Sequence, residues 1–310
     1  MNILVTGAAG YIGSSLCPYL LQQGYSITAI DNLMYNQGPF VYQALKDCNF
    51  IIDDVRNLTR KFIRQFDVII PLAALVGAPI CKKYPDKARS TNLDTIKWLC
   101  KNITDFQLII SPNTNSGYGR VLNGICTENT PLNSISLYGQ LKDDAEKELQ
   151  QRGNSIIFRL ATVFGVSHRM RLDLLINTLV LDGLNGEITL FDGNFNRNYI
   201  HIKDIIKVFD FAIRNRKDMI GQVYNVGNDS INMSKLDLAK IIQHQTKCKF
   251  TMTNKTDPDQ RDYIVSSEKI YKMGYIPTIN IYAGIKELIR YYQLTNLINP
   301  YITQCFRNDN

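Results

Sequence analysis

The chain predicts an α/β fold, a doubly wound parallel sheet with a smaller mixed α/β cap. Three observations predict it. Short apolar runs alternate with helix-period stretches through the first half of the chain. The first run ends in a glycine-rich turn that opens a helix. Beyond residue 165 the alternation loosens into separate helical and strand patterns, as expected where a chain leaves its sheet.

The first strand is Ile3-Leu4-Val5, followed by Thr6-Gly7-Ala8-Ala9-Gly10-Tyr11-Ile12-Gly13 and a helical pattern over 14–23 closed by Gly24. In a strand–turn–helix of this kind the first glycine allows the tight turn and the second lets backbone approach a pyrophosphate. The third permits close helix–strand packing. The helix N-terminus adds free N–H groups and a positive dipole end. The next strand, 26–30, runs into Asp31, placed where an acidic residue accepts hydrogen bonds from adenosine ribose hydroxyls and repels the extra phosphate of NADP. NAD is the expected cofactor.

Strands follow at 49–52, 68–72, 108–111 and 156–160, and one long helix is expected over 83–101. The fifth strand leads directly into Pro112-Asn113-Thr114-Asn115-Ser116-Gly117-Tyr118-Gly119, which places Thr114 at the carboxyl edge, where ligands of such sheets bind. Past Gly165, helices are expected at 172–184, 234–245 and 281–292, with 199–214 returning to the sheet. His201, inside a short apolar run, reads as structural.

A chain of 310 residues buries a sizeable core as one large or two modest domains, and 45% apolar with 20% charged residues is ordinary for a soluble globular protein. The net charge of +7 suits an anionic ligand, but the basic residues are dispersed and form no nucleic-acid patch. Seven cysteines without framework spacing or a Cys-x-x-Cys pair point to neither a disulfide scaffold nor a zinc site, and no metal is expected. The first residues already read as a buried strand, and the apolar run 68–81 is too short to span a bilayer. A cytoplasmic protein without a membrane partner is the expectation.

Tyr138-Gly139-Gln140-Leu141-Lys142 puts a tyrosine and a lysine one helical turn apart on one face. A free phenol is a poor base at neutral pH, and a nearby ammonium favours the phenolate. With the dinucleotide turn and the Thr114 hydroxyl, this makes Tyr138 the expected acid/base of a hydride-transfer enzyme.

TGAAGYIG (6–13), Asp31, DDVR (53–56), LAALVG (72–77), Asn92, the 114–119 turn, YGQLK (138–142), RLATVFG (159–165), RNYIHIKD (197–204), NVGN (225–228) and DPDQRDY (257–263) together resemble an extended short-chain dehydrogenase/reductase. The resemblance is to its NAD-dependent epimerase/dehydratase family, which acts on nucleotide sugars, and it covers nearly the whole chain. It implies a Rossmann-type NAD-binding domain of residues 1–165 plus 197–230 and a nucleotide-sugar-binding cap of 166–196 plus 231–310. Thr114 and Tyr138 would hydrogen-bond the sugar oxygen being oxidised, and Lys142 the nicotinamide ribose. Tyr11, Ile12, Asn32, Asp54, Val55, Leu72, Ala73, Ala74 and Asn92 would complete the cofactor site begun by Gly7, Gly10, Gly13 and Asp31. Val76, Asn115, Ser116, Asn177, Arg197 and Arg261 would meet the substrate, with the Arg169/Arg171 pair as further diphosphate candidates because guanidinium forks match phosphate oxygens. A homodimer through paired helices, 83–101 and 138–152, is also implied.

PLAALVGAPICKK, SPNTNSGYG and RLATVFGVSHRMRLDLLIN are similar to a narrower branch, the GDP-heptose 4-dehydrogenases of bacterial capsule synthesis. Oxidation at carbon 4 opens every reaction of the family. A 4,6-dehydratase then needs an acid and a base, which many such enzymes carry as an Asp-Glu pair after the threonine. Here Asn115 and Ser116 stand there and cannot exchange protons near neutral pH. A 4-dehydrogenase is the first expectation and a 4-epimerase the alternative. A dehydratase or a non-catalytic NAD-sensing regulator ranks below both, the latter because Tyr138 and Lys142 are both retained.

Overall fold

The computed structural model describes residues 1–253, 260–295 and 306–308. Residues 257–259 of the DPDQRDY stretch, and 254–256, 296–305 and 309–310 of the expected cap, lie outside the described residues. In chain order the elements are β1 (Asn2–Thr6), α1 (Gly13–Gln22), β2 (Ser26–Asp31), α2 (Gly38–Leu45), β3 (Asn49–Ile52), α3 (Arg60–Ile63) and β4 (Val68–Pro71). Then come α4 (Ala78–Lys83), α5 (Pro85–Arg89), α6 (Thr95–Asn102), β5 (Leu108–Thr114), α7 (Leu137–Arg152), β6 (Ser155–Leu160) and β7 (Thr162–Phe164). They are followed by α8 (Leu175–Leu184), β8 (Glu187–Leu190), β9 (Asn196–His201), α9 (Ile202–Arg214), α10 (Arg216–Met219), β10 (Val223–Val226) and β11 (Asn228–Ser234). The last are α11 (Lys235–Thr246), β12 (Lys249–Met252), α12 (Glu268–Lys272) and α13 (Ile281–Thr295).

Seven parallel strands lie in the order β10-β6-β5-β4-β1-β2-β3. The apolar runs serve both faces because side chains alternate along a strand. Ile3 and Val5 pack with Val68, Ile70, Leu108, Ile110, Ile156 and Phe158 against α1 and α9. Leu4, Ile69, Ile109 and Ile157 point the other way, into the core under α6 and α7. Each such side chain contributes ~1.5–3 kcal/mol when fully buried. The strand order reverses between β1 and β4, and there Leu72 N–H donates to the Thr6 carbonyl at 3.0 Å. That is the crevice where a doubly wound sheet takes its ligand.

β10, the seventh strand, was not among the strands expected; its four residues, Val-Tyr-Asn-Val, are all buried. The long helix expected at 83–101 is broken. Pro85 disfavours helical backbone at Tyr84, which sits at φ −131°, ψ 68° and ends α4. Residues Ser90–Asp94 then form one widened π turn before α6, marked by the Thr95 hydroxyl bonding the Ser90 carbonyl at 3.1 Å. Helix α7 forms as expected, with the Ser136 hydroxyl accepting from Gly139 N–H at 3.2 Å and Gly153 at φ +79° just past its end. Helix α8 begins at Leu175 rather than 172, since Leu174 is extended at φ −79°, ψ 135°.

β7, β9 and β11 make a second, three-stranded sheet, and β8 pairs with β12. Helices α8, α11 and α13 close a separate apolar core of Ile176, Val180, Leu238, Ile242, Ile285 and Leu288. β9 pairs with β7 and β11 rather than joining the large sheet, while α9 packs its apolar face onto that sheet. His201, fully buried, caps α9 and stands 3.0 Å from the Glu287 carboxylate on α13, the structural role its setting suggested. No helix among the described residues is long and apolar enough to cross a membrane.

Candidate active site

At the β1–α1 turn Gly7 has φ +68°, and a Cβ there would lie 2.6 Å from Ala73 N. A Cβ at Gly13 would lie 2.5 Å from the Gly7 carbonyl oxygen. These two positions admit no side chain, and in the first turn of α1 the N–H groups of Ser14, Ser15 and Leu16 donate to the Gly10 and Ile12 carbonyls, so an anion there would meet the positive end of the helix dipole. Asp31 ends β2, where its carboxylate accepts from Leu33 N–H at 2.8 Å, Ala9 N–H at 3.0 Å and Gln37 Nε2 at 3.3 Å. Burial pushes its carboxyl up, against the pull of those backbone donors. Asn32 donates to Asp54 at 3.1 Å, and Asp54 is held well below the usual carboxylate range by hydrogen bonds from Arg56. Gly10, Tyr11, Ile12, Asp54, Val55, Leu72, Ala73 and Ala74 all lie just past the carboxyl ends of β1, β3 and β4. A crevice with barred Cβ positions, the positive end of a helix dipole and a carboxylate at the next strand end fits a dinucleotide with an unphosphorylated ribose.

Asn92 acts one step removed from that crevice. It sits in the π turn, 2% exposed, and its amide clamps Leu75 at both backbone atoms, each at 2.8 Å. Cys81 Sγ donates to the Leu75 carbonyl as well, at 3.3 Å. The amide expected to touch the cofactor is thus spent on the shape of the loop carrying Ala73, Ala74 and Val76.

Thr114 closes β5, its hydroxyl donating to Ser116 Oγ at 2.9 Å and accepting from Ser116 N–H at 3.1 Å. Arg261 Nη1 also donates to Ser116 Oγ, so this proposed substrate residue reaches the threonine turn from the distant 260–265 segment. Lys142 Nζ donates to the Pro112 carbonyl at 3.0 Å, tying α7 to β5 two residues before Thr114. Deeper along α7, Glu146 accepts from Asn113 and from Arg159, which lies 2.6 Å away, both carboxylate and guanidinium buried. Arg159 also donates to the Tyr118 hydroxyl at 3.0 Å, which donates to Asn225 at 2.6 Å. This buried network, fixing the threonine turn to the tyrosine helix, was not foreseen. Its only sequence signal was the presence of charge at helical spacing on α7.

The electrostatics depart from expectation. Lys142 was expected to pull the Tyr138 phenol toward neutrality. Instead burial pushes Tyr138 up to about 12, offset in part by Arg171 and Arg261. Burial also pushes Lys142 down to about 8, so the lysine carries less charge than a surface one. Arg171, paired with Asp173, is the nearer source of positive potential for the phenol.

Several proposed substrate residues are committed to the protein itself. Asn177 is fully buried, accepting from Gly165 N–H at 3.1 Å and donating to the Arg171 carbonyl at 2.9 Å and the Tyr11 hydroxyl at 3.4 Å. It is a tether, not an exposed ligand. Arg169, a diphosphate candidate, instead lies on the dinucleotide side, its backbone N–H on Ser14 Oγ at 3.1 Å. Arg197 is buried over the ring of Tyr263, 5.5 Å from its centroid, and Tyr263 lies two residues after Arg261. Asn115 is 1% exposed, and neither amide atom has a hydrogen-bond partner among the described residues.

A family model for the NAD dependent epimerase/dehydratase family matches residues 3–227. An uncharacterized UDP-glucose epimerase, YtcB, of Bacillus subtilis is 30% identical over 73% of this chain and 77% of its own. The low-salt glycan biosynthesis protein Agl12 of Haloferax volcanii is 26% identical over 94% and 98%. Among solved structures, UDP-glucuronic acid 4-epimerase from Bacillus cereus, in complex with UDP-glucuronic acid and NAD, superposes with a TM-score of 0.84. It is 26% identical and covers 95% of this chain and all of its own.

Proposed function

Because the chain belongs to the NAD-dependent epimerase/dehydratase family, we propose that it oxidises carbon 4 of a nucleotide-activated sugar, with a GDP-heptose as the favoured substrate class. The observation that carries the reading is convergence. The three stretches similar to GDP-heptose 4-dehydrogenases are the loop after β4, the turn after β5 and the segment after β6. They carry the Leu75 loop, the Thr114–Ser116 pair and Arg171, whose charge acts on Tyr138.

Bound NAD supplies the hydride acceptor. Tyr138 takes the proton of the sugar hydroxyl as the hydride leaves, and Thr114 holds the same oxygen in line. Lys142, anchored on Pro112, fixes the tyrosine helix against the strand that carries the threonine. Arg261, which donates to Ser116, and Arg197, which stacks on Tyr263, are the residues assigned to the nucleotide diphosphate in this reading. With Asn115 and Ser116 after the threonine, those two positions carry no acid–base pair to drive loss of water.

A second reading, 4-epimerisation through the same ketone, is favoured by the whole-chain likeness to a UDP-glucuronic acid 4-epimerase. The test is mass analysis of products from GDP-, UDP-, TDP- and CDP-sugars, with the redox state of bound cofactor recorded. A GDP-heptose losing two hydrogens is the expected result. Unchanged mass with inverted carbon 4 selects the epimerase, and loss of water overturns both readings.

A further inference from the structure

A buried chain of contacts runs from the ribose-side carboxylate to the last described residues. Asp31 accepts from Gln37 Nε2 at 3.3 Å, and Gln37 Oε1 accepts Tyr35 N–H at 3.0 Å. The Tyr35 ring lies under the Arg169 guanidinium, 5.0 Å from its centroid. Arg169 is pinned twice, by its backbone N–H to Ser14 Oγ in the first turn of α1 and by Nη2 to Asn308 Oδ1 at 2.7 Å. Two residues earlier, the Phe306 ring packs 4.7 Å from Phe40 on α2, while its carbonyl accepts Leu172 N–H at 2.8 Å.

The three residues 306–308 therefore touch both segments that flank the N-terminus of α1: the 32–40 stretch after Asp31, at Phe40 where it has entered α2, and the 165–173 loop after β7. Arg169 is 1% exposed, Phe306 3% and Asn308 6%, so this junction excludes water. Within the 32–40 loop, Leu33 and Asn36 are held at φ 51° and 53°, left-handed backbone that side-chain-bearing residues adopt only when their surroundings impose it. A guanidinium stays buried only where hydrogen bonds and charge compensate it, and burial has already lowered Arg169 to about 10.

We propose that Arg169, locked by Asn308 and Phe306, is a clasp over the adenosine half of the NAD site that must open before the dinucleotide exchanges. This rests on the placement of NAD at Gly7–Gly13 and Asp31, and not on the identity of the sugar. A closed clasp keeps the cofactor through successive turnovers, so that reoxidation in place becomes the easier route than release.

The test uses the full chain and a fluorescent etheno-NAD, with association followed by mixing and release by chasing with excess NAD. Asn308→Ala and Phe306→Ala are expected to speed release at least tenfold and to speed association as well, because a gate slows both directions. Phe306→Leu, which keeps an apolar side chain, should restore most of the parent behaviour. If Phe306→Ala fails to fold, Asn308→Ala alone decides. Release unchanged in a folded Asn308→Ala protein overturns the clasp, and so does faster release without faster association, which marks lost affinity rather than a gate. No sugar enters the assay, so inactivity on every nucleotide sugar would leave the clasp standing, and failure of the clasp would leave the carbon 4 reading standing.

Discussion

Replacing Tyr138 with Phe is expected to abolish most of the chemistry while sparing the cofactor site. The ring is half-buried on the first turn of α7, and removing its hydroxyl leaves the packing of that turn unchanged. With the phenol pushed up to about 12, only on the order of one tyrosine in 10⁴–10⁵ is ionised near pH 7.5, a gap of about 6 kcal/mol. Only that ionised fraction can take the sugar hydroxyl's proton as the hydride moves, and such general-base assistance is typically worth ~10²–10⁴ in rate. The Phe variant should lose at least that order in single-turnover NAD reduction, followed by the absorbance of the reduced cofactor. The parent rate should climb with pH through neutrality as the phenol gives up its proton more readily. The climb should continue toward about 12, where the phenol itself titrates. In the Phe variant that climb should vanish. Hydride transfer within tenfold of the parent, or a retained climb, would remove Tyr138 from the mechanism.

Asp31→Ala should narrow the preference for NAD over NADP, since the carboxylate that repels a 2′-phosphate is gone; tighter NADP binding by the parent protein would refute its role. Glu146→Gln leaves the buried Arg159 guanidinium facing a neutral amide, and should cost ~3–5 kcal/mol in denaturant unfolding. We also propose an isologous dimer through the outer faces of α5, α6 and α7; sedimentation at micromolar concentration should give twice the chain mass, and a monomer rules it out.

The parts of the site that depend on adjacent residues were legible in the sequence. The glycine turn, Asp31 at a strand end and the tyrosine–lysine spacing are local facts of strand and helix period, and the structure sets each at the edge they imply. What was illegible depends on residues far apart in the chain. Asn92 lies 17 residues from Leu75, and only an extra residue in a π turn swings its amide onto that loop. Asn177 was read as a ligand, but a fully buried amide at the start of a cap helix had three partners waiting up to 166 residues away. The pKa argument failed for a related reason. The attraction of a neighbouring ammonium can be read from spacing, whereas desolvation belongs to the assembled site and here outweighs it for both Tyr138 and Lys142.

Desolvation leads to the final prediction, on the helix residue after Lys142. Asp143 is 7% exposed, with Oδ1 only 2.7 Å from where a Cβ on Gly117 would stand, so its carboxyl lies against the turn that carries Thr114 and Ser116. Burial pushes it up to about 6. The Ser134 hydroxyl pulls the other way, Glu146 one turn along raises it further, and Arg159 on β6 and Lys147 on α7 lower it. A folded value above the unfolded one, near 3.9, means that the fold favours the neutral acid. Below about pH 4 the carboxyl is protonated in both states and carries no penalty. As pH rises from about 4 to 6 the unfolded chain ionises first, and stability falls by on the order of 2–3 kcal/mol, a loss fully present above that window. Asp143→Asn keeps the shape and removes the charge. Its denaturant midpoint should therefore match the parent near pH 4 and exceed it increasingly up to about 6, with the turn beneath Thr114 undisturbed. A variant less stable than the parent at pH 7 would mean that the ionised carboxylate has a compensating partner in solution, and would reverse the sign of the argument.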